Sequence, residues 1–385
     1  MSSVFKIYSP EDCDFYYDGE FQGHIEGDSD RAFRFEVERR GAYRLKFVDS
    51  KYKSELLVKV FIDTNEEQEV ELDFTEVNEP VIKRITTAIE HNYGREERLP
   101  DEIISAISKN GIVIIPKGVR KIGALAFSKC YNLTSVTIPD SVTEIGDYAF
   151  YNCNSLSSIT IPHGITVIGK KAFSGCHSLT SITIPDSVTM IAWATFSGCH
   201  NLTSITIPDS VTTIGVSAFS SCHSLKSVII PDRVTTVGEF AFWKCSSLTA
   251  FYGKYASRDG RCLIKDNILL GFAPYDITKY TIPDNVNAIG EGVFYNCHSL
   301  KSIIIPACVN TIGEEKFYFC RCLTSVYCKA TTPPKLEGGI FYYNASVLKI
   351  YIPKSDGSIV LEAYKSAEGW KDYADIIEEY DFNNE

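Results

Sequence analysis

One spacing governs this chain. A proline following an aliphatic residue recurs every 23 residues at Pro116, Pro139, Pro162, Pro185, Pro208 and Pro231, and returns at Pro283, Pro306 and Pro353. Phenylalanine keeps the same step at Phe127, Phe150, Phe173, Phe196, Phe219, Phe242, Phe294 and Phe317. Cysteine follows three residues later, from Cys130 through Cys320, and leucine three later again, from Leu133 through Leu323. A unit of this length cannot bury its own apolar edge, so neighbouring units must stack as a solenoid. Stacking also accounts for a length of 385 residues, beyond the roughly 100–200 that one ordinary core supports.

Each coil follows from its residues. In Ser135-Val136-Thr137-Ile138-Pro139 the apolar positions alternate as a half-buried strand requires. Pro139 ends the strand, having no N–H for the ladder, and Asp140-Ser141 supplies turn chemistry. Val142 and Ile145 return to the core, and Gly146 is expected to allow a tight or left-handed bend. Phe150, Cys153 and Leu156 at i, i+3 and i+6 suit a short helical or 3₁₀ turn. At ~4.8 Å per strand, about eleven stacked strands between Pro116 and Pro353 make a rod some 50 Å long. The expected fold is mainly β with short helical turns.

The repeat resembles the BspA-like class of leucine-rich repeats. Residues 181–203, Ser-Ile-Thr-Ile-Pro-Asp-Ser-Val-Thr-Met-Ile-Ala-Trp-Ala-Thr-Phe-Ser-Gly-Cys-His-Asn-Leu-Thr, nearly reproduce its unit and depart at Ala192 (usually Gly) and Thr195 (usually Ala). The resemblance covers 101–353. It implies a curved, β-rich solenoid used for protein recognition, often as a bacterial surface adhesin touching host matrix proteins, and it does not imply an enzyme.

Flanking segments read differently. Strands are expected at Val4–Tyr8, Phe15–Tyr17, Ala32–Val37, Tyr43–Phe47 and Leu56–Phe61, with Asp-Gly and Arg-Gly joints that favour hairpins. Residues 1–78 therefore read as a small β-sandwich. Tyr17-Asp18-Gly19-Glu20-Phe21-Gln22-Gly23 and Gly41–Leu45 resemble the PEGA type, although His24 replaces the usual proline. Residues 79–100 form a helical linker and N-terminal cap, with a helix over 79–92. Residues 354–385 form a helical C-terminal cap, since an uncapped solenoid exposes a strand edge. The 52-residue gap between Pro231 and Pro283 holds an insertion near 255–275, a hairpin turning at Asp266-Asn267.

Charge and motif content narrow the function. Net charge is −11, which argues against a nucleic-acid partner. Residues 1–100 carry 23 acidic and 14 basic side chains, and 354–385 carry nine and three, so the centre is near neutral. No apolar run reaches the ~18 residues of a membrane span, and Met1–Pro10 has no signal-peptide pattern. Thirteen cysteines, eight in one column and none as CxxC, read as reduced core thiols. That points to the cytoplasm, whereas the family resemblance points to the cell surface. His177, His200, His223 and His298 each follow the column cysteine and read as a solvated column rather than a metal site. Gly164–Lys171 imitates a phosphate loop, but it lacks the Ser/Thr after lysine and lies in the repeat register. The Asn132-Leu-Thr134 and Asn201-Leu-Thr203 glycan acceptors are written by the repeat itself. No GxSxG, HExxH or GxGxxG occurs, so no catalytic group, cofactor or metal is expected.

A partner surface has a clearer signal. The position after the column phenylalanine is Ser128, Tyr151, Ser174, Ser197 and Ser220, then Trp243, Tyr295 and Tyr318. Trp193, Phe240, Trp243, Tyr252, Tyr295 and Tyr318 stand where other coils carry small, polar or charged residues. They either cover the hairpin or form an exposed surface of the kind that dominates interface energy. The leading expectation is a monomeric, non-catalytic scaffold that binds a protein, adhesin-like, through the solenoid. In the rival reading the solenoid is structural and the acidic N-terminal domain recognises the partner.

Overall fold

A computed structural model describes the backbone of the strands between residues 3 and 71, residues 87–91 and 104, and residues 108–384 apart from 314, 315, 337, 339, 342 and 343. Its contacts separate one unit (1–90 and 99–109) from another (91–98 and 110–385).

The first unit carries two sheets. Phe33–Val37, Ser3–Tyr8 and Gln68–Glu71 form one, in that order, and Glu20–Ile25, Cys13–Tyr17, Gly41–Asp49 and Glu55–Ile62 form the other. Glu20–Ile25 and Gln68–Glu71 were not legible as strands. The first pairs with a register shift between Phe15 and Tyr16, a bulge that spoils alternation. The second is mostly polar. Side chains and joints on which the PEGA resemblance rests lie outside the described residues. So do residues 79–86 of the expected helix, whose residues 87–90 are helical.

In the second unit the 23-residue step is the register of two parallel ladders. Ser135 pairs with Ser158, Ser181 with Ser204 and Ser302 with Ser325 along the first. Glu144 pairs with Val167 and Thr213 with Thr236 along the second. Strands such as Ser158–Thr160 and Ser181–Thr183 bury only their central isoleucine, so serine and threonine form the outer face. Inside runs a phenylalanine spine. Phe127, Phe150, Phe173, Phe196, Phe219 and Phe242 stack at 5.3–5.7 Å between ring centroids, nearly coplanar in orientation.

The bends differ from expectation. Gly146, Gly169, Gly215 and Gly238 do not occupy the left-handed region; a Cβ at Gly238 would lie 2.4 Å from the Val216 amide nitrogen, and one at Gly169 2.5 Å from that of Asp147. Glycine is needed there so that adjacent coils can touch backbone to backbone. The left-handed bends fall on two other columns. One is Leu125, Tyr148, Lys171, Ala194, Ser217 and Phe240 (φ 51–61°), and the other includes Lys129, Asn152, Ser221 and Lys244. Of the two departures from the repeat, Thr195 is fully buried, its hydroxyl donating to the Ala192 carbonyl at 3.0 Å.

An antiparallel hairpin interrupts the regular stack. Cys262–Lys265 and Ile268–Phe272 form an antiparallel hairpin through left-handed Asp266 and Asn267. Its second strand continues the second ladder, with Leu269 opposite Ile289. The spine turns edge-on here, Phe242 meeting Phe251 at 73°, and resumes through Phe272, Phe294, Phe317 and Phe341.

The C-terminal closure is only partly helical. Ile359–Ser366 is an α-helix and Trp370–Ile376 a 3₁₀ segment, but Ile377–Tyr380 is a strand parallel to Lys349–Pro353. Tyr364 and Trp370 are fully buried; the Tyr364 hydroxyl donates to the Ala330 carbonyl (2.9 Å) and the Trp370 indole to that of Pro334 (2.7 Å). These bonds satisfy the polar atoms of the two largest side chains closing the core.

Candidate functional site

Turn backbones form a third hydrogen-bond ladder, and its interruption defines the site. N–H groups of successive turns donate to the next coil: Ala194 to Val216, Phe196 to Ala218 and Gly198 to Ser220, then Ser217 to Glu239, Phe219 to Ala241 and Ser221 to Trp243 (2.6–2.9 Å). Among the described residues the next three donors, Phe240, Phe242 and Lys244, find no backbone acceptor, whereas beyond the hairpin Asn296 again donates to Tyr318 (2.8 Å). The hairpin coil omits this turn, so the coils of Phe242 and Phe294 face each other across a seam.

Aromatic rings occupy the seam. Trp243 lies 4.7 Å from Tyr295 and 6.2 Å from Phe240. Gly292 makes room, because a Cβ there would sit 2.8 Å from both the Phe240 and Trp243 rings. Tyr295 continues to Tyr318 (6.5 Å, nearly parallel) and Phe319 (5.6 Å). The Lys244 ammonium stands 4.0 Å from the Trp243 centroid and 4.8 Å from that of Tyr295, and desolvation lowers its pKa. The Trp243 indole nitrogen is buried and has no hydrogen-bond partner among the described residues.

The six sequence-selected residues therefore divide. Phe240, Trp243, Tyr295 and Tyr318 come together, half-buried. Trp193 is 42% exposed two coils away, its ring 4.4 Å from the Lys171 ammonium, which also approaches Tyr148. Tyr252 lies on the first ladder's outer face, opposite Ile229; the two are 53% and 63% exposed. Sequence reasoning missed Lys244 and Phe319, both in the left-handed column of the turn, where residue type follows no pattern.

The cysteine and histidine columns are also resolved. Column thiols donate to the phenylalanine carbonyl one coil back: Cys153 to Phe127 (3.0 Å), Cys199 to Phe173 (3.2 Å) and Cys320 to Phe294 (2.8 Å). Burial pushes Cys199 and Cys245 up to about 12. Twelve described cysteines are free thiols, with Cys308 and Cys322 exposed. Of the column histidines, His177, His200 and His223 are half-buried and His298 is exposed. His177, His200 and His223 stack at 4.4 and 4.9 Å, and His223 Nδ1 lies 2.9 Å from the Lys244 carbonyl. Burial and the flanking imidazoles lower the His200 pKa. Among the described residues no group of histidine, cysteine and carboxylate is arranged to hold a metal, and no helix is long and apolar enough to cross a membrane.

A family model for the BspA type leucine rich repeat region matches residues 107–220 and 271–370, in six copies. The chain belongs to this BspA-type leucine-rich repeat family. The stretch between the two matched blocks contains all but the last two residues of the hairpin and the first half of the seam. Among solved structures, this BspA-type chain resembles a leucine rich cell surface protein from Faecalibacterium prausnitzii at 24% identity, over 89% of this chain and 95% of that one, with a TM-score of 0.50. A leucine-rich repeat protein from Bacteroides ovatus is 26% identical over 70% of this chain and 83% of that one (TM-score 0.38). The pneumococcal vaccine antigen PcpA is 18% identical over 64% and 82% (TM-score 0.47). No curated protein matches the chain.

Proposed function

We propose that this chain is a non-catalytic, adhesin-like scaffold at a bacterial cell surface, binding a protein through the aromatic seam of its solenoid. The observation that carries this reading is the row Phe240–Trp243–Tyr295–Tyr318–Phe319 with Lys244 over two of its rings. The coils need only serine or glycine at these turns, as Ser197 and Gly198 illustrate. Tryptophan and tyrosine beside a cation form the group that most often dominates interface energy. Trp193 and Tyr252 extend the surface as separate exposed contacts. In this reading residues 1–78 form an accessory β-sandwich, 79–100 a linker and cap, 101–353 the binding solenoid, and 354–385 its closure. The protein acts as a monomer.

Surface location is supported by the description of the Faecalibacterium relative as a cell surface protein. Free thiols do not oppose it, because the column thiols are held by burial and carbonyl contacts whatever the compartment. Labelling intact producing cells with a membrane-impermeant amine reagent checks export; a chain labelled only after lysis contradicts it.

The binding test measures full-length protein against immobilised fibronectin, fibrinogen, laminin and collagen, beside Trp243→Ala with Tyr295→Ala. Loss of binding with unchanged melting supports the seam. Binding unaffected by the double substitution moves recognition off the seam and favours the acidic N-terminal domain.

A further inference from the structure

The interrupted array also opens a polar cleft of about 300 Å³, bounded by Ser246 on one coil and Asn296, His298 and Ser299 on another, with Tyr275 and Asp276 between them. In preceding coils the corresponding positions are closed by hydrogen bonds: Ser178 N–H to the Asn154 carbonyl, Asn201 to His177, Ser224 to His200 and Ser247 to His223 (3.1–3.3 Å). Here the rungs are missing. The irregular coil crosses as Pro274-Tyr275, with the Tyr275 amide bonded to the Leu248 carbonyl (3.1 Å), and among the described residues neither the Ser246 carbonyl nor the Ser299 amide has a hydrogen-bond partner.

The cleft therefore offers an unpaired acceptor and an unpaired donor together with hydroxyl, amide and imidazole groups and one carboxylate. Tyr275 supplies an aromatic ring that is 48% exposed, with the Lys226 ammonium 5.3 Å from its centroid. A purely apolar ligand would strand these polar groups, which costs free energy. The Asp276 carboxylate disfavours a phosphate or carboxylate. A sugar hydroxyl both donates and accepts, and the C–H face of a pyranose packs on an aromatic ring. The volume is at the lower end for small-molecule sites, enough for one such ring. We propose that this cleft binds a single neutral sugar unit of a glycan, independently of any protein partner at the aromatic seam.

Saturation-transfer NMR on the full chain tests this with methyl β-galactoside, methyl α-glucoside and N-acetylglucosamine as probes and glucuronate as the charged control. The disabling variant is Asp276→Asn with His298→Ala. Asn suits position 276, whose φ is 61°, because it tolerates left-handed backbone. At least one neutral probe is expected to receive saturation, with binding weakened roughly tenfold or more in the double variant while the melting temperature is unchanged. Absence of transfer from all three neutral probes, equal transfer in the double variant, or glucuronate binding as well as the neutral sugars would overturn the proposal.

Discussion

The Cys199 thiol donates to the Phe173 carbonyl one coil back, 3.2 Å away, and the same bond recurs from Cys153, Cys176, Cys222, Cys245 and Cys320. Each thiol thus fills core volume and satisfies a buried acceptor beside the phenylalanine spine. With the pKa of Cys199 and Cys245 near 12, the thiolate population at neutral pH is negligible. Thiol titration of the native chain is expected to find Cys308 and Cys322 promptly and the buried column cysteines, Cys153 through Cys320, only in denaturant, when all thirteen react. Prompt reaction of Cys199 contradicts the packing described.

Phe196 is fully buried between Phe173 and Phe219, whereas Ser204 is exposed on the first ladder. Phe196→Ala is expected to cost ~3–5 kcal/mol through lost burial and a cavity. Ser204→Ala should stay within about 0.5 kcal/mol. Equal denaturation midpoints for the two variants would refute the assignment of faces.

Gly238→Ala tests how closely the coils approach. Its Cβ would lie 2.4 Å from the Val216 nitrogen and 2.7 Å from the Gly215 carbonyl carbon. Backbone on both sides must then shift, at about 1–3 kcal/mol by analogy with overpacked cores. An unchanged midpoint in chemical denaturation would mean that the coils are spaced more loosely.

Stability should depend on acidity through His200. Its folded pKa is lowered from 6.5 by burial and by His177 and His223, so the unfolded chain takes up the proton first as pH falls. Its contribution is fully present above the unfolded pKa, is lost progressively below it, and levels off below the folded pKa. Thermal melts at about pH 7.5 and pH 5 should show a larger loss for the native chain than for His200→Asn, a residue the same column carries at Asn154. Equal losses would show that the imidazole stack has no part in the acid response.

Buried columns were legible because a solenoid repeats each burial requirement every 23 residues; Phe127 to Phe317 and Leu133 to Leu323 announce the core directly. Turn geometry was not. Leu125, Tyr148, Lys171 and Ser217 share a left-handed backbone held by hydrogen bonds to the next coil rather than by residue preference, so glycine drew attention to the wrong column. Ile377–Tyr380 read as helix because its strand state comes from pairing with Lys349–Pro353, assisted by Lys349 to Glu378 at 2.6 Å. Of the site, the aromatics were visible as departures from the repeat. Their division among the seam, the Lys171 edge and the outer sheet face depends on the missing turn, which the sequence marked only as an irregular gap.

Amide hydrogen exchange on the full-length chain tests the seam most directly. Phe240, Phe242 and Lys244 occupy the same turn positions as Ser217, Phe219 and Ser221, whose N–H groups are bonded to Glu239, Ala241 and Trp243. Exchange at the first three is expected to be faster by an order of magnitude or more, because no rung must open before they exchange. Equal protection at both sets of amides would mean that the ladder runs unbroken past Lys244, and the account of the seam as this protein's recognition surface would fall.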